Sequence, residues 1–147
     1  MIKFTKTGEK YGCFSNFFLT DVDYKGLHFT NSEAAFQAQK CLDEETKKSF
    51  QTKSPSAAKL AGRRVKLRPD WENVKYNVMK DICYAKFIQN PGLKEILLST
   101  KDEEIVENTT GWHDNIWGNC DCVRCKNIVG QNLLGKALME VREKLRK

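Results

Sequence analysis

The chain has 147 residues, of which 40% are hydrophobic and 30% charged, and a formal net charge of +6. This composition is typical of one globular domain with a core of its own, and it argues against a disordered chain or a small disulfide scaffold. Neither a membrane span nor a signal peptide is predicted. We therefore expect one domain over residues 1–147, an intracellular and cytoplasmic location, no membrane partner and six reduced cysteines.

The predicted elements are short strands at the start of the chain and mostly helices after it. Strands are expected at residues 2–4, 14–19 and 24–29, with turns at Gly12 and at Lys25-Gly26. Helices are expected at residues 31–41, 44–51, 54–62, 70–89, 93–98 and 131–144, with a further strand at 104–108. This order predicts an α+β fold, a helix-rich single domain with a small sheet of short strands.

The helix predicted for residues 31–41 carries the most informative polar side chains. Small apolar residues at positions 34, 38 and 41 form a narrow stripe. Glu33, Gln37 and Lys40 have the same spacing, rotated by about one residue, or roughly 100°. The polar stripe therefore borders the buried one, as the wall of a cleft does.

A purely structural interpretation of the same helix is favoured on spacing alone. Thr30 and Glu33 fit a capping box, in which Thr30 caps the helix and Glu33 bonds back to the Thr30 amide. Gln37 and Lys40 would then be ordinary solvated helix residues.

The strongest concentration of charge is a basic cluster between residues 47 and 68. Its eight cations are Lys47, Lys48, Lys53, Lys59, Arg63, Arg64, Lys66 and Arg68. A basic surface of this kind attracts the phosphates of a nucleotide or of a nucleic-acid backbone. Glu44 and Glu45 lie nearby, so an ordinary solvated surface is equally open.

Residues 109–126, which we name the tryptophan loop, hold two of the three tryptophans. Loops are normally polar, so tryptophans in them either fill the core or serve as ligand platforms. Asp114 can be a second carboxylate that holds a ribose or a water, although an Asx-turn role is favoured. Trp117 beside Gly118 suggests a flat ring next to a backbone that approaches something closely.

The segment from Gly130 to Gly135 opens the last predicted helix. Free backbone amides at a helix start bind phosphate, and glycines allow close approach. Glycine used for helix packing, with Asn132 as a cap, is at least equally open.

Three cysteines of the tryptophan loop, Cys120, Cys122 and Cys125, can reach one zinc ion, with His113 as a fourth ligand. The spacing is unusual, and no second Cys-x-x-Cys is present. We therefore expect no metal and no cofactor, although a structural zinc or a redox-sensitive thiol cluster stays open. The other cysteines are expected to be buried as small apolar side chains, namely Cys13, Cys41 and Cys83.

In order along nearly the whole chain, these segments resemble the NADAR family of YbiA-like proteins. The matching stretches are residues 14–17, 32–33, 36–40, 58–62, 86–87, 114–118, 130–135 and 138–142, together with Trp71, Lys75 and Met79. No single stretch is diagnostic, but their joint order and spacing are specific.

The resemblance implies a NADAR-like α+β fold and an N-glycosidase that acts on ribosyl or ADP-ribosyl groups. Some family members are thought to remove ADP-ribose from modified guanine in nucleic acid, which counters ADP-ribosyltransferases. Others are linked to a ribosylamine intermediate of riboflavin synthesis. The expected partners are an ADP-ribose-containing substrate, an ADP-ribosylated nucleic acid and an ADP-ribosyltransferase toxin in a functional pair. Two alternatives are a non-catalytic ADP-ribose or NAD-binding module, and a basic nucleic-acid-binding domain with a zinc knuckle.

The same resemblance implies that Glu33, Trp71, Asp114 and Trp117 are site residues. Cleavage of a C1′–N bond develops oxocarbenium character, which a carboxylate such as Glu33 stabilises while it activates water. Lys40 can anchor phosphate, tune the pKa of Glu33 or attack the opened sugar as an amine.

The residues expected to bind the ligand are Asn16, Gln37, Trp71, Trp117, Gly118 and Asn132. In this set, Asn16 would hold ribose hydroxyls, and the two tryptophans would stack on a base. The chain departs from common family members at residues 34–36, where Ala-Ala-Phe replaces a frequent His-aromatic pairing. That departure excludes a catalytic histidine at this place.

Overall fold

A computed structural model of the chain describes all of residues 1–147. It has an α+β fold, as predicted. In chain order the elements are β1 (Ile2–Phe4), β2 (Leu19–Tyr24), β3 (Leu27–Asn31), α1 (Ser32–Ala38), α2 (Glu44–Lys48), α3 (Pro55–Gly62), α4 (Trp71–Gln89), α5 (Pro91–Leu98), β4 (Ile105–Glu107) and α6 (Leu133–Leu145). Every predicted helix is present, with ends shifted by three residues or fewer.

The chain divides into two compact units. One consists of residues 16–90, and the other combines residues 1–15 with residues 91–147. The strands form two separate two-stranded sheets, one in each unit. The expectation of a single domain stays a prediction. None of the helices has the length and apolarity needed to cross a lipid bilayer.

In the unit of residues 16–90, β2 and β3 form an antiparallel hairpin. Its turn uses Lys25 and Gly26, whose φ angles of 49° and 83° are the left-handed values that a type I′ turn requires. The strand predicted at residues 14–19 is wrong, because β2 begins only at Leu19. Residues 12–14 form a 3₁₀ turn instead, and the side chain of Asn16 in the following bend is hydrogen-bonded to Ser32.

Helix α1 begins with a cap different from the predicted one. The Asn31 side chain accepts a hydrogen bond from the Ala34 amide at 2.7 Å and donates to the Lys53 carbonyl at 3.0 Å. Thr30 is therefore not the cap, and the capping-box interpretation of Glu33 is wrong. An asparagine that can bond both the helix start and a neighbouring segment replaces the adjacent threonine in this role.

Helix α3 packs directly against α1. Its start is as predicted, with Ser54 accepting a hydrogen bond from the Ala57 amide and proline in the first turn. Its last residue is Gly62, where a Cβ would collide with the side-chain oxygen of Gln37. Glycine at this position lets the two helices approach closely.

The other unit is built on β1 and β4, which pair in parallel with Ile2 opposite Ile105. Helix α6 packs on β4, and α5 packs on α6. The predicted apolar stripe of α6 is buried, at Leu134, Leu138, Val141 and Leu145. This small core supports the tryptophan loop, which lies between β4 and α6.

Candidate active site

Glu33 is a buried carboxylate at the start of α1, with 8% of its surface exposed. Its backbone amide donates to the Asn16 carbonyl at 3.1 Å. The Gln37 amide nitrogen, one turn later on the helix, donates to Glu33 Oε1 at 2.9 Å. Because buried charges are costly unless they are hydrogen-bonded, this contact both supports the carboxylate and fixes its orientation.

Gln37 has hydrogen-bonding capacity that the protein does not use. Its nitrogen bonds Glu33, but its buried Oε1 has no hydrogen-bond partner and lies against Gly62. Nearly all buried polar atoms have a partner in protein or water. Oε1 is therefore a buried acceptor without a partner beside Glu33, and the ligand-binding role of Gln37 stays a prediction.

Lys40 follows the end of α1 and is half-buried. Burial lowers the pKa of Lys40, the negative charge of Glu33 opposes that shift, and Arg63 adds to it. The Lys40 ammonium therefore releases its proton more readily than a surface lysine does. We name Glu33, Gln37 and Lys40 the α1 cluster.

Two other predicted residues of this unit are committed to packing. The Asn16 side chain accepts from the Ser32 hydroxyl at 2.9 Å and donates to the Met79 sulfur at 3.4 Å. Trp71 is only 6% exposed, and its ring packs on Phe36 with a centroid distance of 5.2 Å. Asn16 therefore positions the start of α1, and Trp71 is a wall of the core instead of an open stacking surface.

Part of the basic cluster lines a cavity of about 1110 Å³ in the same unit. The cations on its walls are Lys53, Arg64, Lys66 and Arg68, and the single acid is Asp43. The lining does not include the α1 cluster, but it begins at Cys41, the residue after Lys40. A positively charged cavity of this size suits a ligand that carries phosphates.

Three cations of the basic cluster are paired with nearby acids. Lys47 and Lys48 pair with Glu44 and Glu45 on α2, over 3.9 and 3.6 Å, as ordinary surface ion pairs. Arg68 is also partly neutralised, because its Nε donates to Asp70 at 2.6 Å. Ion pairing therefore accounts for the α2 lysines, whereas Arg64 and Lys66 at the cavity are exposed and Lys53 is half-buried.

In the other unit, Asp114 forms the Asx turn that was favoured from sequence. Its Oδ1 accepts hydrogen bonds from the amides of Ile116 at 2.8 Å and Trp117 at 2.9 Å. Trp117 is half-buried. A Cβ at Gly118 would collide with Thr109 and Glu107, so this glycine serves close packing within the chain.

Asn132 is also used inside its own unit. It has a left-handed φ of 51° and does not cap α6. Its side chain accepts from the Glu107 amide at 3.1 Å and donates to the Ile105 carbonyl at 2.9 Å. Both halves of the amide therefore bond β4, so the predicted cap is wrong, and the ligand-binding role of Asn132 stays a prediction.

The phosphate site predicted at the start of α6 is wrong. The backbone amides of residues 131–134 donate to carbonyls of the tryptophan loop over 2.8–3.2 Å; the acceptors are Asn115, Gly118, Ile116 and Trp117. A phosphate needs unpaired amides. The tryptophan loop folds back on the start of α6, and its carbonyls already accept hydrogen bonds from these amides.

His113 meets all three cysteines of the tryptophan loop. Its Nδ1 lies 3.4 Å from the sulfur of Cys120, 3.3 Å from that of Cys122 and 3.7 Å from that of Cys125. The four donor atoms lie within 4.8 Å of one another. The unusual spacing that argued against a metal is therefore no obstacle, because the fold brings His113 and the three cysteines together.

The thiols of this cluster also influence one another. A hydrogen bond with Cys120 lowers the pKa of Cys122 to about 6. Burial raises the pKa of Cys120 to about 11. The three cysteines outside the tryptophan loop are buried, as predicted.

Sequence reasoning missed Asn31 and Gly62. Asparagine is among the best helix caps, so Asn31 directly before Ser32-Glu33 was a usable signal that competed with Thr30. Gly62 lies in a stretch that matched the family, but only the packing of α3 on α1 shows that it adjoins Gln37.

Comparison with known proteins places this arrangement in a family. The NADAR domain matches residues 3–146. The N-glycosidase YbiA of Escherichia coli is 40% identical over 148 residues, which cover 99% of this chain and 88% of YbiA. An N-glycosidase of Nostoc punctiforme is 35% identical over 99% of this chain and 92% of its own length.

A more distant relative is named a riboflavin biosynthesis protein. This protein of Vibrio vulnificus is 32% identical over 98% of the chain, but the match covers only 38% of its own length. The NMR structure of Escherichia coli YbiA superimposes with a TM-score of 0.85 and 38% identity, covering 99% of this chain and 84% of that one. Sequence and fold agree over nearly the whole length, and the chain therefore belongs to the NADAR family.

Proposed function

We propose that this protein hydrolyses the C1′–N bond between an ADP-ribosyl group and guanine in nucleic acid. The observation that carries the broader activity, hydrolysis of an N-glycosyl bond, is the 40% identity to relatives named N-glycosidase, over 99% of the chain. The α1 cluster and the cationic cavity support the finer assignment of a bond and a substrate.

Glu33 is the residue proposed to act at the anomeric carbon. As the C1′–N bond breaks, positive charge develops on the ribose, and a fixed carboxylate stabilises that charge. The same carboxylate can take a proton from the attacking water, whose oxygen bonds C1′. Gln37 keeps Glu33 in one orientation, and its unpaired Oε1 can accept a hydrogen bond from a ribose hydroxyl or from the water.

Lys40 is the residue proposed to give the departing guanine its proton. Its pKa is lowered by burial, so its ammonium is a stronger acid than that of an exposed lysine. The reaction then balances, with hydroxyl added to C1′ and a proton added to the base nitrogen. In the alternative role, the deprotonated amine would attack the opened sugar.

The cavity supports a phosphate-bearing substrate. Lys53, Arg64 and Lys66 lie on its walls. None of these three belongs to an ion pair, and they can meet the pyrophosphate of ADP-ribose or the backbone of a nucleic acid. An activity of this kind would reverse the work of an ADP-ribosyltransferase, which is the functional partner that we propose.

The direct test is release of free ADP-ribose from an oligonucleotide ADP-ribosylated on guanine. We expect release by the wild-type protein and unmodified guanine left in the strand. Arg64→Glu and Lys66→Glu, which reverse charge in the cavity, should raise KM for this substrate. Lys48→Glu, on α2 outside the cavity, is the matched control and should leave KM within about twofold, as an exposed charge does.

A second candidate is cleavage of a ribosylamine, which the name of the Vibrio vulnificus relative favours. Calorimetry with ADP-ribose and with ribose 5-phosphate separates the two candidates. Much tighter binding of ADP-ribose supports the proposal, whereas equal and weak binding supports the small substrate. Tight ADP-ribose binding with no turnover of either substrate would indicate a non-catalytic binding module.

A further inference from the structure

We propose that the tryptophan loop binds one structural zinc ion through His113, Cys120, Cys122 and Cys125. The proposal is independent of the glycosidase reaction. It rests on the positions of four side chains that come from separate parts of an irregular loop.

The geometry of the four donors is that of a tetrahedral zinc site. With Zn–S near 2.3 Å and Zn–N near 2.0–2.1 Å, tetrahedral angles place a ligand nitrogen about 3.6 Å from each sulfur. The distances from His113 Nδ1 to the three sulfurs are 3.3, 3.4 and 3.7 Å. The nitrogen-to-sulfur distances therefore match those around one tetrahedral ion, and all four donor atoms lie within 4.8 Å of one another.

The donor set indicates zinc in preference to other ions. Three thiolates and one imidazole are soft and borderline ligands, which bind zinc well and suit calcium or magnesium poorly. Four protein ligands also fill the tetrahedral shell, so no position is left for water. A closed site of this kind is structural and not catalytic.

Backbone groups around the sulfurs add support of the kind that metal sites need. The Cys125 amide donates to the Cys122 carbonyl at 3.0 Å, which fixes the short turn between these two ligands. The Cys120 amide in turn donates to Asn115 Oδ1 at 2.9 Å. Such contacts fix the backbone that carries the ligands and thereby orient them.

The second half of the tryptophan loop buries few apolar side chains. Its sequence after Cys122 leaves apolar side chains exposed, with Val123 at 82% and Val129 just beyond the loop at 92%. His113 has a left-handed φ of 57°, which a β-carbon disfavours. A bound ion would offset these costs and fix the loop that carries Asp114 and Trp117.

The first test is elemental analysis of protein purified in reductant without added metal. We expect about one zinc per chain in the wild type, as a closed four-ligand site predicts. Cys122→Ser should lose the metal. Cys83→Ala, which removes a buried thiol of α4 in the other unit, is the matched control and should retain it.

A second test does not depend on a variant that folds. Cobalt added to metal-free, reduced wild-type protein should reach saturation at one equivalent, with the visible bands and sulfur-to-metal charge transfer of tetrahedral thiolate coordination. Zinc should then displace it. Protein that takes up neither ion in stoichiometric amount overturns the proposal, and so does a disulfide among the three cysteines that persists under reductant.

Discussion

The α1 cluster and the tryptophan loop both supply residues that were predicted to form the active site, but the fold treats them differently. In the α1 cluster, the polar groups are buried, Gln37 Oε1 has no hydrogen-bond partner, and burial lowers the pKa of Lys40. In the tryptophan loop, Asp114 bonds two amides of its own turn. The polar residues of the α1 cluster therefore suit a catalytic role, whereas Asp114 stabilises the backbone conformation of the tryptophan loop.

The difference shows how to separate a functional polar residue from a structural one. Burial alone does not do so, because Asn16 and Glu33 are both buried. The useful criterion is whether a buried side chain keeps a polar atom that has no hydrogen-bond partner within the protein. Asn16 has both ends of its amide bonded, and Asn132 likewise, while Gln37 keeps one acceptor beside a carboxylate.

The largest expected effect is that of Glu33→Gln. It removes the charge that the transition state requires, so kcat should fall on the order of 10²–10⁴-fold while ADP-ribose binding persists. Activity is measured by ADP-ribose release and folding by circular dichroism. Glu45→Gln, exposed on α2, is the control. Normal turnover by Glu33→Gln would show that Glu33 has a structural role and takes no part in the reaction.

Lys40→Met should lower kcat by about 10²-fold, the lower end of the range for general acid catalysis. It should also change the pH dependence of stability. Because burial lowers the pKa of Lys40 in the folded state, its charged form is disfavoured at neutral pH, and the penalty disappears as pH rises from the folded pKa to the unfolded one.

The melting temperature of the wild type relative to Lys40→Met should therefore rise with pH in that alkaline window. Lys48→Met, at an exposed i,i+3 pair with Glu45, should show no such trend. If the melting-temperature difference between the wild type and Lys40→Met does not change with pH, the Lys40 amine is solvated in the folded protein and is no more perturbed than a surface lysine.

The smallest expected effect on activity is that of Asp114→Asn. Asparagine retains the oxygen that accepts from Ile116 and Trp117, so kcat should stay within a few-fold of the wild type. Asp114→Ala removes both bonds and should cost about 1–3 kcal/mol in the free energy of unfolding, measured by urea denaturation. If Asp114→Asn folds normally but its kcat is strongly reduced, the Asp114 carboxylate takes part in the reaction.

Elements were predicted correctly where the residues that determine them are close together in the sequence. Ser54-Pro55 starts α3 as predicted, since a cap and a proline act within one helical turn. The strand predicted at residues 14–19 is absent. Asn16 interrupts its hydrophobic run and forms hydrogen bonds to Ser32 and Met79, which are distant in the sequence. The cap of α1 was assigned to Thr30, one residue early, for a similar reason: Asn31 also bonds Lys53.

Sequence alone determined the α+β class, the spacing of Glu33, Gln37 and Lys40, and the family, because each depends on residue type and order. Tertiary structure decided which polar groups stay available. The amides at the start of α6 are used by the tryptophan loop, and His113 meets three cysteines from 7 to 12 positions away. Hydrogen bonds and metal ligands are settled by distances in space, which linear spacing fixes only within a regular element.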